Sequence, residues 1–166
     1  INPMSLIAEI KKFFKKTIIL SGCISTGRDI ASAMQMGADF AYMGTRFINT
    51  KESLADEGYK DMIINSKADD IVYTAAVSGV NANFLKPSLE AMGITEDMWK
   101  NSKKIDFGKE LSAAEAEAKA WKTIWSAGQG VTSITDSPSV KDLVDKLKEE
   151  FVDAIEDQKS LLGKFS

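Results

Sequence analysis

Two short runs of the sequence carry residue types suited to gripping an anion with main-chain atoms: Ser21-Gly22-Cys23 and Met43-Gly44-Thr45. Glycine lets a backbone approach a ligand closely, and successive amides beside a helix start offer hydrogen bonds to a phosphate with no lysine required. Each run taken alone reads more simply as a plain turn, and only the pair at βαβ spacing shifts the balance toward an anion site. Other chemistries are closed to these residues. The chain has no histidine and a single cysteine, Cys23, so it has no imidazole base, no histidine or cysteine-built zinc site and no internal disulfide. Cys23 beside a helix start could be an activated thiol, although a small apolar filler is the simpler reading. Arg46 fits either a bond to an anion or an ion pair that ties loops together through its planar fork.

The elements that would position these runs are legible on either side of them. Asn2 and Pro3 suit a helix start, and Leu6, Ile7, Ile10, Phe13 and Phe14 repeat at helical spacing up to about Lys16. Thr17 to Leu20 is a continuously apolar, β-branched run of the kind buried on both faces of a parallel sheet. Thr26 and Asp29 form a capping-box pattern ahead of Ile30, Ala33 and Met34, and Gly37 is the natural stop. Phe40 to Met43 then supplies a second strand, with a connection between the strands long enough for a right-handed parallel crossover. Both runs would therefore lie at the carboxyl end of one sheet, where α/β folds bind ligands.

Beyond residue 50 the pattern predicts a helix over Glu52 to Asn65, an extended segment over Asp70 to Val77 and a short helix over Asn83 to Met92 closed by Gly93. Ser112 caps an alanine- and glutamate-rich helix running to about Ala127 and stopped by Gly128. The last helix starts near Pro138 and places Val140, Leu143, Val144, Leu147, Phe151 and Ile155 on one face. Trp99, Trp121 and Trp125 look like a binding cluster, yet Trp121 and Trp125 stand one helical turn apart and read more simply as core anchors. Glu110, Glu115 and Glu117 with Lys109 and Lys119 read as a solvated helix face. Tyr42 either looks into a barrel or packs.

Composition narrows the class. The 166 residues are 44% hydrophobic and 27% charged, which suits a compact globular chain, and no run reaches the roughly 20 apolar residues of a membrane helix. Twenty-four acidic against twenty-one basic side chains give a net charge of -3, a poor match to phosphate backbones, so neither nucleic acid nor membrane is expected as a partner. The lone cysteine suits a reducing, cytoplasmic setting. The first residue is Ile1, and a piece of a longer polypeptide is expected.

The order strand, Ser21-Gly22-Cys23-Ile24, helix, Gly37-Ala38-Asp39, strand, Met43-Gly44-Thr45-Arg46-Phe47 resembles the last two βα units of flavin-mononucleotide-binding barrels. It is most similar to nitronate monooxygenases, also called 2-nitropropane dioxygenases. The resemblance extends through Met43 to Ser53, Tyr59-Lys60 and Ser126-Ala127-Gly128-Gln129-Gly130-Val131. It implies an α/β fold, the carboxyl-terminal part of a (β/α)8 TIM barrel with a helical carboxyl-terminal extension. Residues 1–50 would be the last two βα units, and 51–166 a mostly helical segment packing on the barrel, the whole forming a single unit.

The same resemblance implies an FMN-dependent oxidoreductase that oxidises alkyl nitronates with molecular oxygen. By motif match the FMN contacts fall on Ser21, Gly22, Cys23, Met43, Gly44 and Thr45, with Gln129 as a contact to flavin or substrate. The family commonly has two adjacent glycines in its first turn, and Cys23 occupies the second position. The family's catalytic histidine lies on a strand ahead of this segment, so no catalytic residue is assigned here. A whole barrel takes roughly 250 residues, which makes the missing amino-terminal half a partner alongside nitronate and oxygen. The fragment alone is expected to be inactive. The resemblance also leaves room for a homo-oligomer. Two alternatives stand beside it: an FMN-dependent enoyl reductase of fatty-acid synthesis with a similar phosphate cup, and a non-catalytic α/β interaction domain whose glycine turns are only turns.

Overall fold

The computed structural model describes residues 2–100 and 122–165. They divide into two compact units: residues 1–54 with 136–166, and residues 55–135.

The first unit begins with α1 (Pro3–Phe13), where the Asn2 side chain accepts the Met4 amide. β1 (Ile19–Ser21) and β2 (Phe40–Tyr42) follow, joined through α2 (Gly27–Met36). They pair in parallel, with Ile19 opposite Phe40, Leu20 opposite Ala41 and Ser21 opposite Tyr42. The capping box at Thr26 and Asp29 forms as its spacing predicts, and Gly37 ends α2 at a φ of 104°. A side chain would strain that left-handed angle. Thr45–Ile48 makes a single turn, α3, directly after the second strand.

Burial on both strand faces does not hold. Ile18, Leu20, Ile24, Ala33 and Ala38 close a core with Ile7 of α1, but the alternate residues Ile19, Phe40 and Tyr42 stay 60%, 61% and 64% exposed. The physical reason is the period of two along a strand. The helices α1 and α2 of this unit cover only the face that Ile18 and Leu20 share.

The last helix, α7 (Val140–Leu162), belongs with this unit and starts two residues later than expected, because Ser139 is the cap and accepts the Asp142 amide. Leu143, Leu147 and Ala154 are buried along its inner face. It lies hard against the start of α2. A methyl group on Gly27 would stand 2.1 Å from the Leu147 carbonyl oxygen and 2.5 Å from the Phe151 nitrogen, so only glycine permits the approach.

The second unit holds α4 (Glu57–Asn65), β3 (Ile71–Thr74), β4 (Ala82–Leu85), α5 (Lys86–Ala91) and α6 (Glu96–Lys100). The helix expected over Glu52 to Asn65 forms only from Glu57. Asp56 caps it through the Gly58 amide, and Glu52 instead accepts the Val140 amide at the start of α7. The helix expected over Asn83 to Met92 splits. Its first residues pair antiparallel with β3, Asn83 opposite Tyr73 and Phe84 opposite Val72, which buries Phe84 and Leu85. Helix then begins at Lys86-Pro87, where proline's missing amide costs nothing.

Ala76, Val77, Phe84, Leu89, Ile94, Trp99 and Ile124 form the core of this unit, which makes Trp99 a core anchor. The start of the helix expected over Ser112 to Ala127, and with it Trp121 and the charged run from Lys109 to Lys119, lies outside the described residues. Lys122 and Thr123 are helical, and the chain has left the helix before Ala127. The main chain of Trp125 is instead engaged by Leu85 and Ser88.

Candidate functional site

The parallel register fixes where the two glycine turns emerge. Ser21 and Tyr42 are the last paired residues of β1 and β2, so Gly22-Cys23 and Met43-Gly44 leave the sheet side by side at its carboxyl end. Gly22 has a φ of 101° and Cys23 a φ of 59°. Cys23 is thus the one described residue other than glycine in the left-handed region, and the turn keeps the conformation that a second glycine would favour. Its thiol is exposed. Gly44 adopts a φ of -109°, which any residue tolerates, and its carbonyl accepts the Phe47 and Ile48 amides of α3. A β-carbon placed on Gly22 or Gly44 meets no described atom within 4 Å. The two turns therefore border open space, as a phosphate cradle requires.

The start of α2 is not part of that cradle. The Gly27 amide donates to Glu150 Oε2 at 2.7 Å, the Ser25 and Thr26 amides donate to Asp29 Oδ2 at 2.9 Å, and the Asp29 amide donates to Thr26 Oγ1 at 3.1 Å. Two carboxylates of the chain itself already serve the positive end of the helix. An anion held by the first turn must rely on amides ahead of Ser25.

Arg46 proves structural. Its side chain is only 3% exposed; Nη1 donates to the Asp136 carbonyl at 3.0 Å and Nη2 to Asp136 Oδ1 at 2.6 Å. Asn49 Nδ2 donates to Ser137 Oγ at 3.2 Å, and the Lys51 amide donates to the Pro138 carbonyl at 3.0 Å. Together these bonds bind the segment after β2 to the one ahead of α7. Tyr42, on the exposed face of β2, looks outward from this unit.

Gln129 lies in the second unit, exposed at the start of a 3-10 turn over Gln129–Ser133. The residues around it are tied down in a way no spacing rule suggests. Tyr59 stacks on Trp125 with ring centroids 5.1 Å apart and donates its hydroxyl to the Ser126 carbonyl. Burial pushes the Tyr59 phenol above its ordinary value, which keeps it protonated and able to donate. Its neighbour Lys60 is buried, with Nζ donating to Glu57 Oε1 at 2.9 Å. A cavity of about 440 Å³ in the same unit is lined by residues including Thr74, Asn81, Trp99 and Lys100; none of the glycine turns lines it. Among the described residues no three potential metal ligands of the His, Cys, Asp or Glu type gather, and no helix is long and apolar enough to cross a membrane.

A parallel βαβ unit with two glycine turns opening together at its carboxyl edge defines an α/β scaffold. The family model described as nitronate monooxygenase matches residues 2–150, and the chain belongs to that family. It is 31% identical over 162 residues to a nitronate monooxygenase of Paraburkholderia phytofirmans, covering 94% of this chain and 43% of the relative. It is 29% identical over 144 residues to a probable nitronate monooxygenase of Staphylococcus aureus, covering 84% and 40%.

Among solved structures, FabK from Thermotoga maritima superposes with a TM-score of 0.75 at 24% identity, covering 97% of this chain and 52% of that one. Nitroalkane oxidase from Streptomyces ansochromogenes gives a TM-score of 0.70 at 24% identity, covering 95% and 46%. At that identity the likeness is one of fold. The chain spans about half the length of the relatives it matches, or somewhat less.

Proposed function

We propose that these residues form the carboxyl-terminal part of an FMN-binding (β/α)8 barrel that oxidises alkyl nitronates with molecular oxygen. The carrying observation is the pair of turns: the register of β1 and β2 sets Gly22-Cys23 beside Gly44-Thr45, and open space lies where side chains at Gly22 and Gly44 would stand. Membership in the nitronate monooxygenase family supports the substrate class.

On this reading, main-chain amides of Gly22, Cys23, Gly44 and Thr45 hold the FMN phosphate, with the Ser21 hydroxyl and the backbone of Met43 beside them. Amides suit a doubly charged group because they offer fixed, directional donors at no cost in side-chain entropy. The bond from Arg46 to Asp136 stiffens the segment that follows Gly44, and so holds the second turn in place. Gln129 offers its carboxamide to flavin or substrate. When bound, the flavin supplies the electron-transfer chemistry. No side chain of this segment is assigned as the base, which on this reading belongs to a strand of the barrel ahead of it. The rest of the barrel also covers Ile19, Phe40 and Tyr42, whose exposure on one sheet face supports a further layer against it.

The test is a titration of the protein carrying these 166 residues with FMN, followed by oxygen uptake with an alkyl nitronate and, separately, reduction of an enoyl thioester. Saturable FMN binding with nitronate-dependent oxygen uptake is expected. FMN binding with enoyl reduction alone would transfer the assignment to the reductase reading. No FMN binding would leave an interaction domain.

A further inference from the structure

Support for the second glycine turn comes from a segment 90 positions downstream within the same compact unit. Arg46, Asn49, Lys51 and Glu52 bond to Asp136, Ser137, Pro138 and Val140, in the same order along both segments. The first of these contacts lies two residues past Gly44. Arg46 turns both prongs of its fork on one residue, the carbonyl and the carboxylate of Asp136, whose other carboxylate oxygen stands 3.9 Å from Lys146 Nζ of α7. Asn49 and Thr50 are buried, and Thr50 donates its hydroxyl to the Phe47 carbonyl at 2.9 Å. At the far end both carboxylate oxygens of Glu52 accept the Val140 amide, at 3.0 and 2.9 Å.

A buried guanidinium needs an acceptor, but a single pair would meet that need. The whole row fixes the orientation of α3, whose Phe47 and Ile48 amides bond the Gly44 carbonyl, and with it the peptide planes at Gly44-Thr45. We propose that this row is a clasp coupled to the flavin phosphate. Through Arg46, Asp136 is a positioning residue that presents the Gly44 and Thr45 amides, and an occupied cup in turn tightens the clasp, since coupling between two sites is reciprocal. This rests on the reading of Gly44-Thr45 as part of the phosphate cup. The effect is selective: Asp136 serves the phosphate and not the flavin ring, so it favours FMN over riboflavin, which lacks the phosphate.

The experiment titrates the protein carrying this chain with FMN and with riboflavin, as wild type, Asp136→Ala, Asp136→Asn, Arg46→Met, Arg46→Met with Asp136→Ala, and Gly44→Val. Asp136→Ala is expected to weaken FMN binding about three- to tenfold, the worth of one hydrogen bond. Riboflavin affinity should stay unchanged, which also reports a folded chain. Asp136→Asn keeps an oxygen for Arg46 and should recover part of the loss. The double variant should bind FMN no more weakly than Arg46→Met alone, because one residue acts through the other. In the wild type, FMN but not riboflavin should slow amide exchange at Lys51 and Val140.

FMN affinity in Asp136→Ala equal to or above that of the wild type overturns the proposal, as does an equal loss for FMN and riboflavin, the mark of a purely structural pair. Exchange at Lys51 and Val140 that FMN leaves unchanged overturns the coupling. If Asp136→Ala does not fold, Asp136→Asn decides, and a wild-type ratio of the two affinities there counts against the clasp. If Gly44→Val loses FMN affinity while the Asp136 variants keep the wild-type ratio, the clasp role falls and the phosphate reading stands. If the wild type binds both flavins equally, or neither, the phosphate reading falls and the clasp role with it.

Discussion

Gly44→Val separates a ligand role from a folding role. At Gly44 the backbone lies at a φ of -109° and a ψ of -75°, and no described atom comes within 4 Å of a β-carbon built there. Folding should therefore lose no more than about 1 kcal/mol, the small conformational preference of a β-branched residue. If amides of this turn hold a phosphate, the valine methyl groups stand where its oxygens belong. Two hydrogen bonds to a charged group, at about 1.5 to 3 kcal/mol each, are then lost, and affinity drops by roughly two to four powers of ten.

Gly37→Ala is the converse. Its φ of 104° and a lysine tip 2.6 Å from the new β-carbon predict a loss of about 1 to 2 kcal/mol in stability, with FMN affinity unchanged. Denaturant unfolding and flavin-fluorescence titration, run on both variants in the protein carrying this chain, give the two-by-two comparison. A folded Gly44→Val that binds FMN as well as the wild type refutes the placement of the phosphate.

Three further perturbations probe the scaffold. Gly27→Ala forces a methyl group to 2.1 Å from the Leu147 carbonyl oxygen, where ordinary contact begins at 3.4 Å, so α2 and α7 must part. A loss of about 2 to 3 kcal/mol is expected in denaturant unfolding, and a loss below 0.5 kcal/mol on the order-of-magnitude scale of surface changes would contradict the packing. Asp136→Ala strands a buried guanidinium and should cost about 2 to 3 kcal/mol, more than Arg46→Met, which removes the charge together with its need for a partner; the reverse order in unfolding midpoints would count against a buried pair. Cys23→Gly relieves a left-handed φ of 59° at about 1 to 2 kcal/mol and gives back part of that as unfolded-chain entropy, so a net gain of up to about 1 kcal/mol is expected. Destabilisation by the same change would mean that the thiol makes a contact worth more than the strain.

What the sequence made legible was local. The capping box at Thr26 and Asp29, the stop at Gly37 and the parallel pair with turns at one edge all follow from residue types a few positions apart, where propensity and spacing act directly. The misses are tertiary. Glu52 has a helix-forming side chain, but its carboxylate caps α7 from 88 positions away. Phe84 and Leu85 fit a helix by spacing and are drawn into a strand because pairing with β3 buries them.

The candidate site divides in the same way. Gly22 and Gly44 were readable as turns, whereas the internal use of the α2 amides by Glu150 was not, since no rule of spacing joins residues 27 and 150. The fate of Arg46 likewise depended on Asp136, 90 positions on. Tyr59 was visible only as part of a motif; its bond to Ser126 spans 67 positions.

The most direct test of the flavin-site account is a crystal structure of the protein carrying this chain with FMN bound. The account predicts phosphate oxygens within about 2.7 to 3.2 Å of main-chain nitrogens in the turns Gly22-Cys23 and Gly44-Thr45. An FMN phosphate seated elsewhere, with both turns left open to solvent, would contradict it.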